Sequence, residues 1–203
     1  MLSEPASDTP VNWNVVVTTF NRRGTRRARS FLHQFGKVER TPFYNVFVLK
    51  VPDIDTFVES VTEALSGSVE ILNDISRIVP AHVTFDFESA SSFESKAIDA
   101  VLKWSERLAG RSFHVRLHRR RGDSPIKLPS LIEEKAIDEA ILHRLAHLGQ
   151  PGRVEFADPD FVIDIETVGY QAGVDLVARR SNEVPLPQCH LRQIATCHVS
   201  AWS

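Results

Sequence analysis

The stretch FHVRLHRRRGD, Phe113 to Asp123, decides how this chain is read. Strand alternation sends Phe113, Val115 and Leu117 to one face and His114, Arg116 and His118 to the other. The segment then opens into Arg119, Arg120, Arg121 and Gly122. Guanidinium groups bind phosphate through two parallel hydrogen bonds and stack on exposed bases. Gly122 lets a ligand come close to the backbone. Ser130 opens the next helix, with Glu133 at the capping-box spacing, and the amides of a helix start add positive potential. A basic strand end, a glycine loop and a helix N-terminus together suit a sugar-phosphate backbone. The competing reading is a solvated basic loop with no partner.

Outward from this stretch the pattern alternates between strands and helices. After it, a helix runs from Ser130 to about Leu148 and stops at Gly149; strands at Phe161–Ile165 and Gly173–Val177 follow, joined through Gly169. Before it, Ser91–Leu108 is an amphipathic helix with Ser91 and Glu94 at capping-box spacing, and Ala81–Phe87 reads as a strand. Residues around Asp74 to Pro80 read as a connector. Further back come a strand at Asn12–Phe20, a break at Gly24, a helix over Thr25–Phe35, and a strand over Thr41–Val51. A helix capped by Asp53 and a short strand at Val69–Ile71 complete the first part. The order β-α-β-α-β suits a small ferredoxin-like sheet with helices on one face. The expected division is a loose tail at 1–10, a ferredoxin-like domain at 11–75, a second α/β domain at 76–180 and an extension at 181–203.

The chain has 203 residues, 42% hydrophobic and 25% charged, which is ordinary for globular α/β domains with real cores. No apolar run approaches the roughly 18 residues needed to cross a bilayer, so no membrane partner is expected. The opening MLSEPASDTP lacks the basic-then-apolar order of a signal peptide. Cys189 and Cys197 do not make a disulfide framework, and a reducing cytoplasm is the default compartment. The formal net charge of -2 gives no overall pull on nucleic acid, but the cations cluster. Arg107, Arg111, Arg116, Arg119, Arg120 and Arg121 fall in a run without an acid, and Arg22, Arg23, Arg26, Arg27 and Arg29 form a second group.

From about Ser76 to Arg180 the chain resembles the THUMP domain. That domain is found in 4-thiouridine synthetases, some tRNA methyltransferases and the adaptor of tRNA cytidine acetylation. The matching text is FHVRLHRRRGD, then SLIEEKAIDEAIL, then VEFADPDFVIDIETVGYQAGVDLVARR. The order and spacing of Asp158-Pro159-Asp160, of FVIDIE and of Gly173-Val174 carry it. Ile137-Asp138 departs from the pattern, since the family often has a glycine early in this helix. The first 75 residues resemble the ferredoxin-like domain that commonly precedes THUMP. The resemblance implies binding of the acceptor-stem end of tRNA while a partner or fused domain performs the chemistry. Carried over by residue, the implied contacts are Arg116, Arg119, Arg120, Arg121 and Lys127, with Ser130 at the helix start. Arg22, Arg23, Arg26 and Arg27 extend the surface from the first domain.

Other constellations are weaker. Asp158, Asp160, Asp164 and Glu166 form an acid group, but ligands along one strand do not surround an ion; the plain reading is a turn at Pro159 with Asp164 and Glu166 pointing outward. Cys189-His190 and Cys197-His198 lack a standard zinc spacing. His143 and His147 lie one helical turn apart without the Glu and third ligand of a metalloprotease. No phosphate loop, nucleophile elbow or dinucleotide fingerprint is present. None of the Phe and Trp residues is assigned a base-stacking role.

The expectation is therefore a non-catalytic RNA-binding protein, without a cofactor, whose partners are tRNA and a tRNA-modifying enzyme. The short tail after Arg180 points the same way. The rivals are an enzyme acting on RNA or a nucleotide through Asp160, Asp164 or a histidine, and a scaffold whose basic face meets an acidic protein.

Overall fold

Three valines in a row, Val15 to Val17, are fully buried, so the strand they open is covered on both faces. This is β1 (Val15–Thr19) in a computed structural model that describes residues 12–20, 22–120 and 130–178. Helix α1 (Arg22–Leu32) buries Ala28 and Leu32. It begins three residues earlier than the break at Gly24 implied. Gly24 sits inside it, where an added Cβ would come within 2.7 Å of the Asp74 carboxylate, so the small residue is what lets the helix pass.

Strand β2 (Lys37–Arg40) was not foreseen: KVER buries only Val38, so its hydrophobic signal is a single residue. Strand β3 (Val46–Lys50) is shorter than the expected Thr41–Val51, because 41–45 forms the hairpin turn, with Asn45 at a φ of 55°. Helix α2 (Ile54–Ser66) is capped as expected: Thr56 N–H donates to Asp53 at 2.7 Å. Val69–Ile71, expected as a strand, begins the short helix α3 (Val69–Asp74); a brief apolar run cannot tell the two apart. The connector expected over Asp74–Pro80 is mostly strand β4 (Ile75–Pro80), paired antiparallel to β1. The four strands lie in the order β2-β3-β1-β4, all neighbours antiparallel, which is the ferredoxin-like arrangement. One core fills the space under the helices, including Leu32, Phe47, Phe57, Val61 and Ile78.

The second sheet begins almost at once with β5 (Val83–Asp86). Helix α4 (Ala90–Val101) starts one residue before the expected cap: Ser89, not Ser91, accepts from Ser92 N–H at 3.0 Å. A 3-10 turn at Leu102–Trp104 leads into α5 (Ser105–Leu108). Then follow β6 (Ser112–Arg119), α6 (Ser130–His147), β7 (Arg153–Val154), β8 (Phe161–Val168) and β9 (Gln171–Ala178). The last two are longer than their apolar cores suggested. The order is β5-β9-β8-β6-β7, with β6 parallel to β7 and β8. Helices α4 and α6 cover one face through Phe93, Val101, Ile137, Ile141 and Leu145.

The back of the first sheet meets the second unit through a small apolar cluster of Trp13, Val16, Val48, Val79 and Ala81, with Val168 against it. Gly173 lies here: a Cβ on it would fall 2.6 Å from Ala81 and 2.7 Å from the Trp13 ring. Only a glycine lets β9 approach that closely.

Candidate nucleic-acid interface

Strand β6 is placed by pairing on one side and by a helix on the other. Its register with β8 sets Arg116 opposite Asp164, His118 opposite Glu166 and Arg119 opposite Thr167. On the far side β7 pairs only with Ser112 and Phe113. Beyond that, carboxylates of α6 take over: Asp138 accepts from Val115 N–H at 3.2 Å and Glu134 from Leu117 N–H at 2.7 Å. Helical spacing of four thus meets strand spacing of two. Burial pushes the Asp138 carboxyl up to about 7, although the Val115 amide pulls it down.

The alternation expected along β6 holds. Phe113, Val115 and Leu117 enter the core under the helices, and His114, Arg116 and His118 take the opposite face. That face is not simply an open basic surface. Asp164 and Glu166, expected to point outward, are buried at 8% and 1% exposure. Arg77 of β4 donates to both of them across the seam between the sheets. Arg120 donates to Glu166 at 3.0 Å and to the Thr18 hydroxyl at 3.2 Å.

The expected contact residues therefore divide by what they touch. Arg120 is tied to a carboxylate, with its side chain only 19% exposed, so it serves as an internal cation and not as an outstretched one. Arg27 makes a two-pronged bond to Asp74 at 2.7 and 2.8 Å, though its side chain stays 57% exposed. Arg116 is half-buried beside the cluster; Arg119 is exposed, and alternation turns it to the opposite face from Arg116. Arg26 is exposed on α1. Arg22, Arg23 and Ser130 lie in the first turns of their helices, but their side chains are outside the described residues. Arg121 and Lys127 lie wholly outside them, as do Cys189, His190, Cys197 and His198.

The seam cluster has a definite electrostatic character. Burial, with Arg77, Arg116 and Arg120 nearby, pushes His118 down to about 4, so its imidazole is neutral at physiological pH. Burial pushes Glu166 up to about 7 against the pull of Arg77 and Arg120. His118, Asp164 and Glu166 bring ligand atoms within 4.8 Å of one another, which is metal-like spacing. The donor set does not suit a cation, however. Both Glu166 oxygens and Asp164 Oδ2 already face guanidinium groups, and three arginines outnumber two carboxylates. The acid group weighed from sequence splits up: Asp160 instead accepts from the Ser112 amide and hydroxyl, both at 2.8 Å, and fixes the turn into β8. His143 and His147 touch each other on exposed α6, Nε2 to Nε2 at 3.1 Å.

Sequence reasoning missed Arg77 and Thr18, the two first-sheet residues that hold the seam. The available signal was an arginine inside the apolar run ISRIVP, where a buried cation implies a carboxylate partner. A third connection, also missed, is His82. Its Nδ1 lies 2.7 Å from Asp175 on β9 and its Nε2 lies 3.2 Å from Asp55 on α2. Asp175, with help from Asp55, raises its pKa to about 9, so it is an imidazolium at neutral pH.

No family model matches the chain, and no curated protein does. Solved structures do. PH1313 from Pyrococcus horikoshii is similar over 82% of this chain and 55% of its own, with 15% identity and a TM-score of 0.54. TrmN from Thermus thermophilus is similar over 81% and 44%, with 18% identity and a TM-score of 0.52. A 4-thiouridine synthetase solved with RNA and ATP is similar over 82% and 42%, with 15% identity and a TM-score of 0.50. At these identities the likeness shows the fold: a ferredoxin-like domain followed by a THUMP-type α/β domain. The chain spans about half the length of these proteins.

Proposed function

We propose that this protein binds RNA, holding the acceptor-stem region of tRNA, and acts as a non-catalytic adaptor for a separate tRNA-modifying enzyme. Cytidine acetylation is the modification proposed, because the sequence resembles that adaptor family. The observation that carries the reading is the junction at Arg120. By bonding Thr18 of the first sheet and Glu166 of the second, it fixes the basic end of β6 against β1. This packs the basic end of β6 against the same sheet that carries α1 and its exposed Arg26. The likeness to a synthetase solved with RNA supports the same reading.

RNA duplexes are read by shape and backbone, so binding is dominated by phosphate contacts and weakens steeply with salt. The test is fluorescence anisotropy of a labelled tRNA transcript against the full chain across a salt series. A linear fall of log affinity with log salt is expected; absence of binding at low salt sinks the proposal. Co-purification of the tagged protein from cells, with identification of the RNA and protein that accompany it, tests the adaptor role.

A further inference from the structure

Phe20 and Tyr44 stand at one end of the first sheet, 53% and 68% exposed. Phe20 directly follows β1, and Tyr44 lies in the turn between β2 and β3. The bond from Thr19 N–H to the Asn45 carbonyl, 2.9 Å, sets these two segments side by side. Phe20 is also held from behind, its N–H donating to the Asp74 carbonyl at 3.0 Å. Single exposed aromatic residues are common and need no explanation. Two of them fixed on adjacent backbone, in the surroundings described next, are a different case.

Those surroundings are cationic. Alternation along β1 places Val16 and Thr18 on the face turned toward the second unit, where Arg120 reaches the Thr18 hydroxyl, and Phe20 follows two residues after that bond. Helix α1 begins two residues after Phe20, carries no acid in its first turn and presents an exposed Arg26. Aromatic faces set among cations are the combination that grips single-stranded nucleic acid: cations take the phosphates and rings take the bases.

We propose that Phe20 and Tyr44 form a stacking platform for unpaired nucleotides of the bound RNA; this rests on the RNA-binding reading above. The bases inside a duplex are stacked and closed to side chains, so the platform engages nucleotides only where the RNA is single-stranded. A protein partner is less suited to this place. The core of a protein interface is depleted of charge, whereas Phe20 directly precedes the arginine-rich start of α1, whose first turn carries no acid.

The test is anisotropy with three labelled RNAs: a tRNA transcript, a blunt RNA duplex, and the same duplex with a short unpaired tail. The wild-type chain is compared with Phe20→Leu/Tyr44→Leu, which removes the rings, and with Phe20→Tyr/Tyr44→Phe, which keeps them. Circular dichroism confirms that both variants fold. The wild type is expected to favour the tailed duplex by about tenfold, in line with stacking of one base. The leucine pair loses that preference while holding the blunt duplex as before, and the ring-keeping pair retains it. An undiminished preference in the leucine pair overturns the platform. Binding of tRNA without any preference for the tail overturns the platform alone and leaves RNA binding intact. Failure of all three RNAs to bind overturns both.

Discussion

Arg77 and Glu166 are hydrogen-bonded across the seam between the two sheets, although 89 residues separate them in sequence. Glu166 is 1% exposed, and among the described residues Arg120 is the other cation bonded to it. Breaking one side of such a buried pair costs far more than the pair itself contributes, because the remaining charge is left without a partner.

Arg77→Ala is therefore expected to lose about 3–5 kcal/mol of stability in urea unfolding. Combining it with Asp164→Asn, which neutralises the carboxylate left without its guanidinium while Arg120 still holds Glu166, should recover part of that loss. A single substitution costing under about 1 kcal/mol would show that the seam is not held by these charges.

Arg119 is exposed whereas Arg120 is tied to Glu166 and Thr18, and their variants should differ accordingly. Arg119→Glu is expected to weaken tRNA binding several-fold, with a midpoint of unfolding near wild type. The slope of log affinity against log salt should fall by about one for each phosphate that is no longer neutralised. Arg120→Ala should lower stability first, through Glu166 and Thr18. Equal salt slopes for Arg119→Glu and the wild type would remove Arg119 from the interface.

His82 links α2 to β9 as an imidazolium, its pKa raised to about 9 by Asp175 and Asp55. A histidine with a raised folded-state pKa contributes stability that is complete below its unfolded value of about 6.5 and is lost as pH climbs through about 9. His82→Gln should abolish the decline in stability between those two values. Titration of the His82 ring by NMR gives the direct check, and a midpoint near 6.5 would contradict the link.

Asp138 shows the opposite sign. Its raised pKa means that the folded chain holds the proton more tightly than the unfolded chain does, so stability falls as pH rises from about 4 to about 7. Asp138→Asn keeps an oxygen for the Val115 amide and removes the buried charge, and should stabilise the protein by about 1–3 kcal/mol at pH 8. Asp138→Leu loses the acceptor and should destabilise it by about 1–3 kcal/mol.

Gly173→Val tests the seam sterically. Its Cβ would meet Ala81 at 2.6 Å and Trp13 at 2.7 Å, both tightly enclosed. A loss of about 1–3 kcal/mol is expected. Differential scanning calorimetry should show whether the two units then unfold apart.

Much of the layout was legible because it rests on local signals. The Asp53 cap, the face of α2 and the alternation of β6 are all written within a few residues of themselves. Short elements misled for the same local reason: VEIL at Val69 fits either a strand or a helix, and KVER hides an edge strand behind polar residues. The charge network was illegible because it is a property of register. Nothing near Arg116 or His118 says that Asp164 and Glu166 will lie opposite them, or that Arg77 will close over both. A basic run reads as open surface until the pairing of distant strands is known. Here that pairing turned Arg120 inward.

The carboxylates that α6 lends to β6 reach beyond this one strand. Where β7 stops, the amides of Val115 and Leu117 would stand as a bare row, the template on which a foreign strand adds itself. Asp138 and Glu134 occupy those amides from within the same molecule. Strand addition at these two amides is blocked, and β7 has no need to extend past Val154 to protect them.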